Sequence, residues 1–446
     1  MKKTAVAMSV AGLAGLFGGC GEDAPGMDAP KGTLEIRTMM SYTGPTSDNA
    51  TVYYQGIKDA LRDANDTGGI RGYRLNEVFY DHAYDLVKAQ TQYDAWKADP
   101  SWKDVLMFFS WGTPDTLMFA ADAQKEGKPF ISGSYATTLA TPTPQMRTVD
   151  FPDGTKKVFN SDGAPYDFFA GTDYSTQARI GMEFVKKKGG KKIAFAYCTS
   201  TPFCEEPIPP GKTYAHQIGL ALGPDLNPEL GDTQEQVDAK VQPYVTANPD
   251  VDWYWMGNSI TSTTFLIKSL KKFAPTAKVI SNMWGMDERT GGSPGKALAD
   301  QPLGYCGTDC VGNSFVIMSF AAFGDTRFTG MEAVVDLHKK WRLKDGDAAD
   351  KWANVRYVQG YVSFHMFRRA LESVVDAGKP VTGPNLKDAF EKFQKLESGG
   401  LTSPITFTAD DHRPTNIARI YSLNEFGKFK FEDEISVALQ RDWLGW

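Results

Sequence analysis

The stretch that most constrains the fold runs from Leu34 to Leu75, LEIRTMMSYTGPTSDNATVYYQGIKDALRDANDTGGIRGYRL. Leu34, Ile36, Thr38 and Met40 form a short apolar run, and Ser41-Tyr42-Thr43-Gly44-Pro45 ends it with turn residues. Tyr53, Ile57, Ala60, Leu61 and Ala64 then recur at helical spacing, with Lys58, Asp59, Arg62 and Asp63 on the opposite face. Thr67-Gly68-Gly69 stops that helix, because glycine accepts the left-handed conformation just past a C-terminus. A second strand begins at Leu75. Strand, helix and strand of these lengths make a βαβ unit, whose ligand-competent edge is the loop after the first strand, Ser41 to Asn49. Tyr42 is the aromatic of that loop.

The alternation continues down the chain. Asp85 to Lys97 and Asp115 to Lys125 are expected helices, and Val105 to Phe109 and Pro129 to Ser132 are expected strands. Two consecutive strand exits are polar, Ser110-Trp111-Gly112-Thr113 and Ser132-Gly133-Ser134-Tyr135-Ala136-Thr137. Each precedes a helix start, where unpaired backbone N–H groups and the positive end of the dipole suit a carboxylate; the plainer reading makes Thr113 and Thr137 N-caps. FPDGTKKVFNSDGA, from Phe151 to Ala164, is a polar excursion of hairpin type. Beyond it come a helix from Ser175 to Lys188, a strand from Lys192 to Tyr197, a helix from Thr233 to Val245, an aromatic-rich strand from Val251 to Met256 and a strand from Lys278 to Ser281. Asn258 and the pair Met283 and Trp284 stand at exits of the last two strands. Lys186, Lys187, Lys188, Lys191 and Lys192 mark a solvated helix end.

Met1-Lys2-Lys3, the apolar run Ala5 to Phe17 and Gly18-Gly19-Cys20 have the layout of a secretory signal peptide. Cys20 directly after small residues resembles a bacterial lipobox, in which that thiol is lipidated; a plain signal peptide with a nearby cysteine is the alternative. Glu22 to Lys31 reads as a flexible stalk. The remaining ~415 residues exceed one core of ~250–300, so two lobes are expected. The formal charge of −6 gives no support for nucleic-acid binding.

Four of the five cysteines lie in two close pairs, Cys198 with Cys204 and Cys306 with Cys310. In an exported chain these read as local disulfides. Neither pair has C-x-x-C spacing and the five histidines are scattered, so metal binding and redox chemistry are disfavoured.

TGP after the first strand, ANDTGGIRGYRL and the following Tyr80-Asp81 together resemble the opening of the leucine/isoleucine/valine-binding protein family, the type I periplasmic solute receptors of ABC transporters. GTPDT, KPFISGSYATT and the D-H-R turn around His412 extend the resemblance to about Phe431. It implies an α/β fold of two doubly wound Rossmann-like lobes joined by a three-strand hinge. The expected division is 1–19 signal peptide, 20–32 stalk, 33–163 with 319–416 as lobe 1, and 164–318 with 417–446 as lobe 2. By position the family's carboxylate-binding loops fall on Thr113, Ser134 and Thr137, with Gly133 in place of the usual proline and Tyr135 in place of a small residue. Phe203, in the expected disulfide-closed loop CTSTPFCEEPIPPG, is a candidate to face the cleft. Amino-acid binders of the family place an acid near the exit that here holds Met283 and Trp284; Asp287 and Glu288 come later. An α-amino acid ligand is therefore in doubt, because a buried ammonium needs a partner; the alternative is that Asp287 or Glu288 supplies it, so a branched-chain amino acid, which the resemblance implies, and a more apolar or aromatic ligand both stay open. Asn49 stands where many relatives carry an aromatic. Trp111, Tyr135 and Trp284 could wall an apolar pocket or pack as ordinary core.

The resemblance implies a monomeric, non-enzymatic receptor without cofactor, held in the periplasm or cell envelope by its lipid, binding a small molecule and meeting permease and ATPase subunits. A sensor of the same fold is the rival. An enzyme is disfavoured, since no G-x-S-x-G, Walker or HExxH motif is present.

Overall fold

The computed structural model describes residues 31–150, 154–292 and 306–446. The expected signal peptide, Cys20 and most of the stalk lie outside the described residues.

The chain begins with β1 (Gly32–Met40), α1 (Ser47–Asp66), β2 (Tyr73–Asp81), α2 (Leu86–Ala98), β3 (Val105–Ser110), α3 (Thr113–Glu126) and β4 (Phe130–Ser132). A hairpin of β5 (Gln145–Asp150) and β6 (Lys156–Ser161) follows, then β7 (Asp167–Phe168). The first sheet is parallel in the order β2-β1-β3-β4-β7. Every residue of β3 is buried, as a central strand covered on both faces requires. Alternation sends Met39, Phe108 and Phe130 to one face, against Tyr93 and Trp96 of α2 and Phe119 of α3. Ile36, Met107, Phe109 and Ile131 join the main core with α1 on the other.

The second sheet is built by α4 (Tyr174–Lys187), β8 (Lys192–Tyr197), α5 (Pro202–Glu205), α6 (Ile208–Gln217), β9 (Ala221–Leu222), α7 (Gln234–Ala247), β10 (Trp253–Gly257), α8 (Ile260–Phe273), β11 (Lys278–Ser281) and β12 (Ser314–Met318). The chain then returns to cover the first sheet with α9 (Met331–Asp345), α10 (Val355–Asp376) and α11 (Gly383–Phe390). It finishes as β13 (Ile417–Leu423) and β14 (Phe429–Ser436), antiparallel additions that complete the order β14-β13-β12-β11-β10-β8-β9. The aromatic strand β10 is split by its pleat: Trp253 and Trp255 enter one core, Tyr254 and Met256 the other.

Three segments pass between the sheets, and they are bonded to one another. Thr172 donates its N–H to Ser319 Oγ at 2.9 Å, and Thr402 Oγ1 donates to the carbonyls of Ser319 and Ala170. β7 still pairs with the first sheet, so the first crossing comes after residue 168 and not at 164. The expected hairpin is present but starts at Gln145. The expected loop from Cys198 is largely helical, because Pro202 and Pro209 occupy first turns, where a missing N–H costs nothing. Both cysteine pairs are closed as disulfides, with Cα atoms 5.4 and 5.6 Å apart. The lysine-rich end of α4 pairs with surface acids, Lys187 with Asp433 and Lys188 with Glu432. His412 is buried, its Nδ1 against the Asp167 carbonyl and its Nε2 against Glu391.

Candidate functional site

The carboxyl edges of the two sheets face each other across a narrow pocket. Its wall is formed by Thr46, Asn49, Tyr84, Trp111, Gly112, Thr113 and Gly133 from the first lobe, and by Tyr174, Phe203, Ser259 and Trp284 from the second lobe and its approach.

Three helix starts converge there. Thr46, Gly112 and Ser259 are the N-caps of α1, α3 and α8, and none uses a side chain to cap its own helix. Thr46 Oγ1 instead accepts from Trp111 Nε1 at 2.9 Å. Thr113 Oγ1 lies 2.6 Å from Ser134 Oγ. Each N-terminus presents the positive end of a helix dipole, equivalent to roughly half a charge, which favours an electron-rich group; Asp48 and Asp115 stand in the first turns of α1 and α3 and offset part of it, whereas α8 has no acid there.

Five rings supply the rest of the wall. Trp111 meets Trp284 edge-on with centroids 5.0 Å apart. Trp284 Nε1 donates to the Tyr174 hydroxyl at 2.9 Å. Burial pushes the Tyr174 and Tyr84 hydroxyls above the usual phenol range, so both stay protonated. Ala83 and Tyr84 both hold left-handed φ angles, 54° and 61°. Asp81 Oδ1 accepts from the N–H groups of Tyr42, Thr43 and Ala83, and His82 Nδ1 accepts from Tyr84, which fixes that strained turn. Gly133 is needed for a different reason: a Cβ there would lie 2.6 Å from the Trp111 ring. The disulfide from Cys204 to Cys198 braces α5, which carries Phe203.

No carboxylate or cation is part of this wall. Asp287 is paired with Arg289, and Glu288 accepts from the N–H groups of Phe323 and Val355 at 3.2 and 3.0 Å. Neither acid faces the pocket as an ammonium partner. Arg356 reaches from α10 to the carbonyls of Met283 and Met286 and lies 4.8 Å from the Trp284 ring, placing a buried cation behind that wall.

Of the residues expected from the sequence, Trp111, Thr113, Phe203 and Trp284 line the pocket. Ser134 stands just behind Thr113. Tyr135 lies one layer deeper, stacked on Phe169 and bonded to Gln359. Thr137 serves the start of α4, donating to Asp173 and Ser175. Asn258 bonds the Pro228 carbonyl and the Ser259 N–H. Met283 packs on Gln177. Tyr42 is at the surface, 37% exposed, edge-on to Tyr54 and Phe79. Tyr84, Tyr174 and Ser259 are lining residues that the sequence reading passed over. For Tyr84 and Ser259 the signal was available, since each follows a strand exit; Tyr174 begins a helix and has no such mark.

Residues 38–428 match the family described as periplasmic binding protein. The chain belongs to the periplasmic binding protein family. Solved structures of similar fold span nearly the whole molecule. An ABC transporter substrate-binding protein from Aeropyrum pernix is 25% identical, with TM-score 0.76 over 92% of this chain and 97% of that one. A branched-chain amino acid ABC transporter protein from Thermus thermophilus, with bound valine, is 18% identical with TM-score 0.73, covering 92% and 98%. A fatty acid ABC transporter substrate-binding protein from Thermomonospora curvata is 18% identical with TM-score 0.72, covering 94% and 96%. A comparison with curated proteins gives no match. In this periplasmic binding protein, no described helix is long and apolar enough to cross a membrane. Among the described residues no cluster of His, Cys, Asp and Glu is suited to a metal ion.

Proposed function

We propose that this chain is an extracytoplasmic solute receptor, lipid-anchored at Cys20, that captures a small carboxylate with an apolar or aromatic body and delivers it to the permease and ATPase subunits of an ABC importer. The observation that carries the ligand class is one combination: three helix N-termini and five aromatic rings around a pocket whose wall holds no acid. The helix ends favour the carboxylate. The rings favour a flat or apolar body. An α-ammonium would be desolvated there with no opposite charge beside it, at a cost of several kcal/mol. Hinge motion about the three crossing segments opens the cleft to solvent and closes it over the ligand.

A thermal-shift panel on the soluble chain beginning after Cys20 tests this reading. Benzoate, hydroxybenzoates and short aliphatic carboxylates are expected to raise the melting temperature, since a ligand at a hundred times its Kd adds ~2.7 kcal/mol of stability. Leucine, valine, phenylalanine and glutamate are expected to leave it unchanged. Stabilisation by the amino acids alone would overturn the proposed ligand class.

A further inference from the structure

Asn49 has a buried acceptor that no group among the described residues satisfies. It lines the pocket at 2% exposure, in the first turns of α1. Its Nδ2 donates to the Trp284 carbonyl and to Asp48 Oδ1, each at 3.2 Å. Both partners are acceptors only at those atoms, so the amide cannot be turned over without setting oxygen against oxygen. Oδ1 is therefore the end left over, and it is buried without a hydrogen-bond partner. Leaving such a group unmade has a cost comparable to a full hydrogen bond, and an orphan of this kind in a pocket wall marks a ligand contact. Asn49 is neutral, so what it fits is a hydroxyl or an amide N–H, whose donation needs no compensating charge.

We propose that Asn49 is a specificity-determining residue that selects, among carboxylates of the class proposed above, those carrying a second polar group able to donate a hydrogen bond. The inference rests on that reading and narrows it: the ligand is a hydroxy- or amido-carboxylate with an apolar or aromatic body. The helix ends hold one end of the molecule and Asn49 Oδ1 reads the other polar group. The Nδ2 bond to Trp284 ties the same side chain to the opposite lobe, so reading the donor and closing the cleft use one residue.

Isothermal titration with benzoate and its 2-, 3- and 4-hydroxy isomers tests this in the wild type, Asn49→Leu and Asn49→Asp. In the wild type at least one hydroxy isomer is expected to bind about fivefold to tenfold more tightly than benzoate, the worth of one neutral hydrogen bond. Asn49→Leu removes the acceptor at similar volume, so the preference is expected to fall to unity. Asn49→Asp keeps an acceptor and loses the Nδ2 donor, so the preference is expected to survive while all four affinities weaken. A purely structural role in the Trp284 bond predicts the reverse, with both variants losing affinity and neither changing the ratio. Benzoate and all hydroxy isomers binding alike in the wild type overturns this inference and leaves the carboxylate reading standing. Failure of all four to bind overturns this inference, and failure of the short aliphatic carboxylates beside them overturns both.

Discussion

Trp284 makes contacts on both sides of the cleft, and its neighbours explain why. Its indole N–H holds the Tyr174 hydroxyl, its carbonyl receives Asn49, and its ring stands edge-on to Trp111 and beneath the Arg356 guanidinium. Trp284→Ala is expected to weaken binding of the best carboxylate by about 30-fold or more, the scale of a buried aromatic anchor, and Trp284→Phe by less; titration calorimetry measures both. Thr113 and Trp284 were legible as pocket-lining residues because strand exits in doubly wound sheets border the cleft, and a hydroxyl or an indole there is visible in the sequence. Thr137 and Asn258 share that position, yet their polar atoms are consumed by the backbone and side chains of Asp173, Ser175, Pro228 and Ser259. Which partner a hydroxyl finds depends on how the loop folds back, and sequence position does not carry that.

At the scale of elements, the cover of the first lobe rests on a close helix crossing. A Cβ on Gly56 would lie 2.2 Å from the Tyr357 carbonyl, and one on Gly360 would lie 1.9 Å from the Tyr53 carbonyl. The two backbones touch where α1 crosses α10. Gly360→Val is therefore expected to destabilise the chain by at least ~1–3 kcal/mol, the cost of overpacking, read as a lowered melting temperature in circular dichroism. The second element at issue is α5, short and held by the Cys198–Cys204 disulfide. Replacing both cysteines with serine is expected to release Phe203 and weaken ligand binding, with the far-ultraviolet spectrum unchanged. The helices and strands of both lobes were legible from period and punctuation. The segment from Cys198 reads in the sequence as a disulfide-closed loop because the family resemblance puts a short loop there. Its prolines are placed in first turns, where proline is tolerated; α11, only eight residues long, and the charge-rich β14 are elements that the sequence did not announce.

At the scale of the molecule, the two lobes are bridged by two half-buried carboxylates. Glu206 of the second lobe accepts the Thr138 N–H of the first at 2.9 Å, and Glu288 accepts the N–H of Val355 in α10. Burial, opposed in part by those hydrogen bonds, pushes both carboxyls up to about 7. Asp173 adds to the rise at Glu206, and Asp287 adds to it at Glu288. When the lobes part, these groups meet water and return toward the ordinary glutamate value near 4.3. The closed state thus binds protons more tightly than the open one. Its advantage is complete below that ordinary value and is lost as the pH rises through about 7. Ligand affinity is accordingly expected to be about tenfold higher at pH 5.5 than at pH 8. Glu206→Gln with Glu288→Gln keeps the acceptors neutral at every pH, so the double variant should show a flat profile; calorimetry across that range checks it. The proposed lipid anchor belongs to this scale too: Cys20→Ser is expected to move the protein from the membrane fraction to the soluble periplasmic extract.

The sequence by itself determined the two-lobed α/β plan, because hydrophobic period, glycine stops and chain length are local quantities that add up along the chain. It also determined the absence of an acid at the exit of β11, which is a matter of residue identity. Tertiary structure decided the pocket. Asn49 and Trp284, or Tyr84 and Thr201, are far apart in sequence and meet across the cleft, at 3.2 and 3.1 Å. Hydrogen bonds act over about 3 Å, and the side chains that reach that distance across the cleft are selected by the geometry of the hinge.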